Sequence, residues 1–171
     1  MEFIFSQAVS LFSAFFWGLS SLWVTPPAFV PLPIMGTTTA QVVEVIDGDT
    51  IVVTLGTSTT RTKVRYIGID TPEPYAHKIP DCGSKEATNR NKELVENQIV
   101  TVVPGRDAND TYGRLLAYVY IDGVFVNETL VREGYASVLM IKPNTQFKTS
   151  FTDLYTYARI HEFGIWSVCE K

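Results

Sequence analysis

Hydrophobic and polar residues alternate over several short stretches of this chain, and the alternation predicts β-strands. Residues 40–54 alternate in this way on both sides of Asp47-Gly48, a dipeptide typical of a tight hairpin turn, and residues 61–69 continue in the same manner. Residues 99–103 and 115–121 are also strand-like. The pattern therefore predicts five strands.

Three helices are predicted from apolar residues that recur at steps of three and four. The first covers residues 84–97, with Ser84 as its N-cap, and the second is short and covers residues 128–135. The third is an amphipathic segment around residues 151–158. Strands and helices do not alternate throughout, so we predict an α+β fold with a small five-stranded barrel rather than a doubly wound sheet.

The N-terminal part of the chain has a different composition. Residues 3–24 form an uncharged apolar run, and at ~1.5 Å per residue a helix of this length would cross the hydrocarbon of a bilayer. The prolines in residues 26–37 favour an extended spacer. We therefore predict a transmembrane anchor or signal segment in residues 1–25, a Pro-rich linker in 26–37 and a folded domain in 38–171.

Residues 3–24 allow three interpretations: an uncleaved membrane anchor, a cleaved export signal and a buried core helix. No basic residue precedes the run and no small-x-small cleavage site follows it, which favours the anchor. Serines interrupt the run without forming a polar face, which disfavours the buried helix. We expect an exported protein, either membrane-anchored through residues 3–24 or secreted.

The charge of the chain limits how it can hold a polyanion. The 171 residues carry a net charge of −4, and all 14 lysines and arginines follow residue 60. This composition disfavours a protein that binds nucleic acid mainly by distributing basic side chains along the phosphates. A polyanionic partner must instead be held locally, together with a metal ion.

Charged residues concentrate in three short segments at strand ends and turns: Asp47-Gly48-Asp49-Thr50, Arg65 with Asp70-Thr71-Pro72-Glu73, and Asp110-Thr111-Tyr112-Gly113-Arg114. Asp49 and Asp70 carry the hard oxygen ligands that calcium takes. Glu73 can orient or deprotonate an attacking water. Arg65 and Arg114 can present forked donors to phosphate oxygens. Taken singly, each segment is also an ordinary turn, cap or surface ion pair.

In this order, the three segments resemble the staphylococcal nuclease (thermonuclease-like) family over residues 38–167. The resemblance includes Asn127-Glu128, Lys142-Pro143-Asn144 and Gly164-Ile165-Trp166-Ser167. It implies an OB-fold barrel with three helices and an endonuclease that uses calcium to hydrolyse phosphodiester bonds of DNA and/or RNA, leaving 3′-phosphate ends. The alternative is a non-catalytic OB-fold module that binds nucleic acid or protein.

The resemblance also implies a role for each residue of the site. The expected calcium ligands are Asp49, Asp70 and the backbone carbonyl of Thr71. The expected catalytic residues are Arg65, Glu73 and Arg114. The pocket is expected to be shaped by Asp47 and Thr50 and to bind substrate through Tyr112.

Two departures from the family occur where the nucleotide is held. Thr111 replaces a lysine, and residues 139–141 stand where tyrosines flank the base. Because aromatic stacking contributes ~1–3 kcal/mol per base, we expect weaker substrate binding without a change in the chemistry.

The chain has two cysteines, and both lie outside the motifs that carry the resemblance. Cys82 follows the acidic loop and Cys169 follows the last family motif, so a disulfide would join the C-terminal tail to the flank of the site. Two free thiols and an intermolecular bond remain open. No protein partner is inferred, and we expect a monomer.

Overall fold

The strands that the alternating hydrophobic pattern predicts form a closed barrel. The computed structural model describes residues 36–74 and 79–169. Its strands are β1 (Thr38–Val45), β2 (Thr50–Leu55), β3 (Arg61–Tyr66), β4 (Gly68–Asp70), β5 (Ile99–Asn109), β6 (Leu115–Ile121), β7 (Val124–Phe125) and β8 (Ser137–Leu139).

Strands β1, β2, β3, β5 and β6 form the barrel in the order β3-β2-β1-β5-β6. Neighbours in this order are antiparallel, and a parallel pairing of β3 with β6 closes the barrel. Strand β7 pairs with β6, whereas β4 and β8 form a separate two-stranded sheet. The prediction of a five-stranded barrel with three helices is confirmed.

The helices are α1 (Ser84–Val95), α2 (Val126–Arg132) and α3 (Lys148–Ile160), and a 3₁₀ helix follows at Gly164–Ser167. Helix α1 packs its buried face against β1, and α2 packs against both α3 and β6. The second helix begins two residues earlier than the sequence predicts, because Phe125 ends β7 in an extended conformation directly before it.

The predicted N-cap of α1 is wrong. Gly83 is the N-cap, with a φ of 81°, and Ser84 is the first helical residue and is buried. A Cβ atom on Gly83 would lie 2.5 Å from the Ile165 side chain. Glycine therefore provides both the left-handed backbone and the space in which the 3₁₀ helix approaches α1.

The core fills the barrel and the space between the barrel and the last two helices. Valine and isoleucine side chains dominate the inside of the barrel, as expected for β-branched residues on strands. Between the barrel and α3, Phe147 lies 5.0 Å from the ring of Tyr118, 4.9 Å from Phe125 and 5.8 Å from Phe151. These rings pack α3, and the residue before it, against β6 and β7.

The predicted apolar N-terminal segment, residues 3–24, and most of the predicted Pro-rich linker lie outside the described residues. In the part of the chain that the structure describes, no helix is both long and apolar enough to cross a membrane.

Buried Asn127 joins three parts of the fold. Its Oδ1 accepts a hydrogen bond from the backbone N–H of Val119 (3.0 Å), and its Nδ2 donates to the carbonyls of Ile67 (2.9 Å) and Ala117 (3.4 Å). Asn127 is fully buried, so its removal would leave these backbone groups without compensation from water. Helix α2 is thereby fixed to β6 and to the junction between β3 and β4.

We expect Asn127→Ala to lower the free energy of unfolding by about 2–4 kcal/mol, because buried donors and acceptors lose their partner. Urea denaturation measures the change. Asn89→Ala, at an exposed position of α1, is the matched control and should change it by less than about 0.5 kcal/mol. Equal effects of the two substitutions would contradict the assigned role of Asn127.

Candidate active site

The turn between β1 and β2 carries two buried carboxylates. Asp47 and Asp49 are 7% and 0% exposed, and the backbone N–H of Asp49 donates to Asp47 Oδ1 at 3.0 Å. This Asx-type contact shapes the turn. A Cβ on Gly48 would lie 2.7–2.8 Å from atoms of the Thr71 side chain, so glycine allows the turn to lie directly against Thr71.

Both oxygens of the Asp49 carboxylate accept hydrogen bonds. Oδ2 accepts from the backbone N–H and the hydroxyl of Thr71, at 2.8 and 3.0 Å. Oδ1 accepts from the Thr50 hydroxyl at 3.2 Å and lies 3.1 Å from Arg65 Nε. The start of β2, strand β3 and the segment after β4 therefore meet at one side chain.

Arg65 lies between two carboxylates. Its Nη2 donates to Asp70 Oδ1 at 2.7 Å, while its Nη1 donates to the carbonyls of Tyr66 and Ile69 at 2.9 and 2.8 Å. The guanidinium is largely buried, whereas the Asp70 side chain is 48% exposed. These contacts fix the plane of the guanidinium and turn it toward the carboxylates.

Glu73 lies three residues beyond Asp70 and is half-buried. Burial and the negative charge of Asp47 raise its pKa above the ordinary value, Asp70 adds to the increase, and the positive charges of Arg65 and Arg114 oppose it. Glu73 is thus close enough to all four groups to interact with them electrostatically.

Negative charge exceeds positive charge at this centre. Burial raises the pKa of Asp49 to about 7, and Asp47 contributes to the increase, while Arg65 and the hydrogen bonds from Thr71 oppose it. Asp49 and Asp70 both contact Arg65, and Asp47 and Glu73 add two further carboxylates near this guanidinium. The centre therefore favours an added cation.

A second turn carries Arg114 and Tyr112. Asp110 Oδ1 accepts from the backbone N–H groups of both residues at 2.9 Å, and Asp110 Oδ2 lies 2.6 Å from Arg114 Nε. The Arg114 guanidinium also lies 5.6 Å from the centre of the Tyr112 ring, which is 84% exposed. The turn thereby holds a guanidinium and an aromatic ring side by side at the surface.

Arg65 and the second turn share the wall of an open pocket of about 360 Å³. Its other side is formed by Leu139, Ile141 and Lys142, which follow α2. Buried Asn144 fixes this side to β5, since its Oδ1 accepts from the backbone N–H of Arg106 at 2.7 Å. The pocket is large enough for a small organic ligand such as a nucleotide.

The structure brings the predicted site residues together in two groups. The first is held by direct contacts and contains Asp47, Asp49, Thr50, Arg65, Asp70 and Thr71, with Glu73 at its edge. The second contains Tyr112 and Arg114, which meet Arg65 at the pocket. Cys82 and Cys169 lie apart from both groups and form a disulfide with a Cα–Cα distance of 5.8 Å.

Sequence reasoning missed residues that support the site from behind. The buried hydroxyl of Tyr66 donates to Asn91 Oδ1 at 3.0 Å, and Asn91 Nδ2 donates to the carbonyl of Asp47 at 2.9 Å. Neither residue belongs to a motif. Asp110 lies in the third charged segment of the sequence, residues 110–114. Its place four residues before Arg114 could have indicated the ion pair between them.

The calcium ion that the resemblance implies can be tested against these residues. No group of three Asp, Glu, His or Cys side chains within residues 36–74 and 79–169 is arranged by itself to hold a metal. The carboxylates of Asp49 and Asp70 do supply hard oxygen donors, a backbone carbonyl such as that of Thr71 is a donor of the same type, and the excess negative charge favours a cation. The donor set, Asp49, Asp70 and Thr71, therefore fits calcium in type and charge.

The raised pKa of Asp49 predicts a pH effect on stability when a chelator is present. The folded state binds this proton more tightly than the unfolded chain, so the stability it contributes is complete below the ordinary carboxyl pKa and is lost as the pH rises to about 7. Asp49→Asn removes the titrating group. We expect the unfolding free energy of the wild type, minus that of Asp49→Asn, to decrease over this range.

Urea denaturation at a series of pH values measures the difference between the two proteins. Comparing them cancels the titration of carboxylates that both retain. A difference that stays constant, or that grows with pH, would show that Asp49 does not hold its proton more tightly in the folded protein.

Comparisons with known proteins agree with this geometry. Residues 63–168 match the family described as Staphylococcal nuclease homologue. The chain is 42% identical over 127 residues to the SPbeta prophage-derived endonuclease YokF of Bacillus subtilis (strain 168), an alignment that covers 71% of this chain and 42% of that protein. The chain is also 42% identical over 127 residues to endonuclease YncB of the same organism, and this alignment covers 71% of this chain and 58% of that protein.

The thermonuclease of Staphylococcus hyicus is 35% identical over 130 residues, which cover 75% of this chain and 76% of that protein. The chain thus spans about half the length of the two Bacillus subtilis relatives and most of the staphylococcal one. From the barrel, the site residues and these matches, we conclude that the chain belongs to the staphylococcal nuclease family.

Proposed function

We propose that this protein is a calcium-dependent nuclease, a hydrolase that cuts phosphodiester bonds of DNA and/or RNA and leaves 3′-phosphate ends. One observation carries the proposal: a cluster of carboxylates lies around the guanidinium of Arg65, beside a pocket to which Arg114 and Tyr112 also contribute. The relatives named endonuclease and thermonuclease support the same activity.

Each proposed catalytic residue has a task that its surroundings favour. Calcium, when bound, supplies positive charge for the phosphoryl oxygens and a site for water. Arg65 and Arg114 stabilise the charge that grows on the phosphoryl oxygens, and their positions are fixed by Asp70 and Asp110 before substrate arrives. Such positioning and charge neutralisation account for most of phosphoryl-transfer catalysis.

Glu73 is proposed to orient or deprotonate the attacking water. Burial raises its pKa above the ordinary value, which brings the carboxylate closer to the proton affinity that a general base needs near neutral pH. The attack displaces the 5′-oxygen in line. The phosphate stays on the 3′-oxygen of the upstream fragment, and the 5′-oxygen takes up a proton and leaves as the hydroxyl of the downstream fragment.

A non-catalytic OB-fold binding module is the alternative. Buried carboxylates are costly unless they are paired, and Asp47 and Asp49 together exceed what Arg65 neutralises. A binder without a metal would instead need a basic groove, whereas the chain carries a net charge of −4. These features favour catalysis over simple binding.

We further propose that the protein acts as a monomer outside the cytoplasm, either secreted or tethered to a membrane. The uncharged apolar residues 3–24 support export. The disulfide between Cys82 and Cys169 also supports it, because such bonds persist mainly in oxidising compartments.

Cleavage of single-stranded DNA and RNA by the full chain, with calcium or with a chelator, tests the proposal. We expect cutting only with calcium. Arg114→Ala should lower kcat by about 10²–10³-fold, as for loss of one donor to a developing oxyanion, and Glu73→Gln should lower it severely. Gel analysis and phosphatase treatment of the products identify 3′-phosphate ends.

Arg132→Ala is the matched control for Arg114→Ala. Arg132 is half-exposed on α2 and pairs with Glu128 rather than with a site residue. Its removal should leave kcat unchanged. Folded protein that binds nucleic acid but never cuts it would contradict the nuclease proposal and favour the binding module.

The pocket wall gives a separate prediction about substrate binding. Leu139 and Ile141 are 42% and 67% exposed where an aromatic side chain would stack on a base. We expect Ile141→Tyr to lower KM by about fivefold or more with little change in kcat, since stacking contributes ~1–3 kcal/mol per base. Steady-state kinetics on a short oligonucleotide measures the effect.

Ile160→Tyr is the control for this substitution, because Ile160 is similarly exposed but lies on α3, outside the pocket lining. It should leave KM unchanged. If Ile141→Tyr left KM unchanged as well, the base would not lie against residues 139–141.

A further inference from the structure

Glu73 belongs to no strand or helix, yet its proposed task requires a fixed position. Two hydrogen bonds hold its backbone. The N–H of Glu73 donates to Asp81 Oδ2 at 3.2 Å, and the carbonyl of Glu73 accepts from the N–H of Asp81 at 3.1 Å. One residue, eight positions further along the chain, therefore binds both backbone polar groups of Glu73.

Asp81 is itself attached to α1. Its carbonyl accepts from the N–H of Ser84, the first residue of that helix, at 3.1 Å. The side chain of Asp81 is exposed and is not part of the cluster around Arg65. Its contacts with Glu73 are thus separate from the carboxylates that face the cation site.

A disulfide attaches the same short segment to the C-terminal 3₁₀ helix. Cys82, the neighbour of Asp81, is bonded to Cys169, whose N–H donates to the carbonyl of Ile165 at 2.9 Å. Gly83 packs against the side chain of Ile165. The segment 81–83 is therefore attached in two ways: it leads directly into α1, and the disulfide joins it to the C-terminal residues.

We propose that Asp81 is a positioning residue for Glu73, and that the Cys82–Cys169 disulfide keeps Asp81 in place. This inference rests on the proposed nuclease function and on the role of Glu73 in it. Asp81 contacts neither substrate nor the reacting atoms, and it acts only by fixing the Glu73 backbone.

Asp81 affects the precision of the Glu73 position more than the stability of the fold. Hydrogen bonds that are exposed to water contribute little net free energy, so two of them alone hold a segment weakly. Attachment of Asp81 to α1, and of its neighbour Cys82 to Cys169, removes conformations in which these bonds would be broken. A displacement of about 1 Å at a catalytic group can lower the rate by about 10²-fold.

Loss of Asp81 should affect kcat and KM differently. Arg65, Arg114 and Tyr112 are held by other contacts, so substrate binding should survive the loss of Asp81. We expect Asp81→Ala to lower kcat by about tenfold or more and to change KM by less than about twofold. Asp81→Asn keeps an oxygen that can accept from the Glu73 N–H and should restore most of kcat.

Amide hydrogen exchange of Glu73, followed by NMR, tests the same contact without any activity. In the wild type, we expect the Glu73 amide to be protected from exchange because its N–H is hydrogen-bonded. Protection should fall by about tenfold or more in Asp81→Ala and persist in Asp81→Asn.

The disulfide is tested by Cys82→Ser with Cys169→Ser in the full chain. We expect reduced protection of the Glu73 amide and a lower kcat, at temperatures well below unfolding. Glu133→Gln is the matched control: it weakens the ion pair between α1 and α2 at Arg90, away from Asp81, and should leave Glu73 protection unchanged.

The results separate failure of this inference from failure of the proposed function. If the wild type cuts and Glu73→Gln does not, but Asp81→Ala matches the wild type in kcat or in Glu73 protection, the positioning role is wrong. Equal kcat in the double serine variant and the wild type overturns the role of the disulfide. If the wild type never cuts, the nuclease proposal fails, and the positioning role fails with it even where the amide is protected.

Discussion

The guanidinium of Arg65 lies between the carboxylates of Asp49 and Asp70, and the architecture of the site depends on this arrangement. β3 supplies the arginine, the turn before β2 supplies Asp49, and β4 supplies Asp70. Antiparallel pairing of β2 with β3 places Thr50 opposite Arg65 and so brings Asp49 beside the arginine, and the chain reaches Asp70 five residues after Arg65. Because one positive charge lies among several carboxylates, the arrangement is held firmly and still carries the negative charge that a cation can balance.

The site combines parts that are fixed in different ways. The carboxylates around Arg65 are fixed by buried hydrogen bonds, including those from Thr71 to Asp49. Arg114 is fixed by a self-contained turn around Asp110. Glu73 lies outside the barrel strands, and its backbone is bound by Asp81. If Arg65 and Arg114 bind phosphate oxygens and Glu73 activates water, as we propose, the two tasks depend on separate sets of contacts.

Much of the fold and site is predictable from sequence because the signals are local. Alternating apolar residues specify the strands, and the contiguous segments 47–50 and 70–73 each place carboxylates close together in the sequence. What the sequence does not show depends on contacts between distant segments. Gly83, not Ser84, caps α1 because Ile165 lies against it, and Asn91 supports Asp47 across 44 residues. The sequence suggests a bond between Cys82 and Cys169 but leaves free thiols and an intermolecular bond open. The folded chain decides between them, because it brings the two residues, 87 positions apart, to a Cα–Cα distance of 5.8 Å.

A divalent cation is expected to bind where buried carboxylates outnumber the positive charges beside them. Isothermal titration calorimetry with calcium, on the wild type and on Asp49→Asn, measures this binding. We expect the wild type to bind calcium and Asp49→Asn, which lacks one carboxylate ligand, to bind it at least about tenfold more weakly. No calcium binding by the wild type, or equal affinity in the two proteins, would show that these carboxylates do not hold the cation.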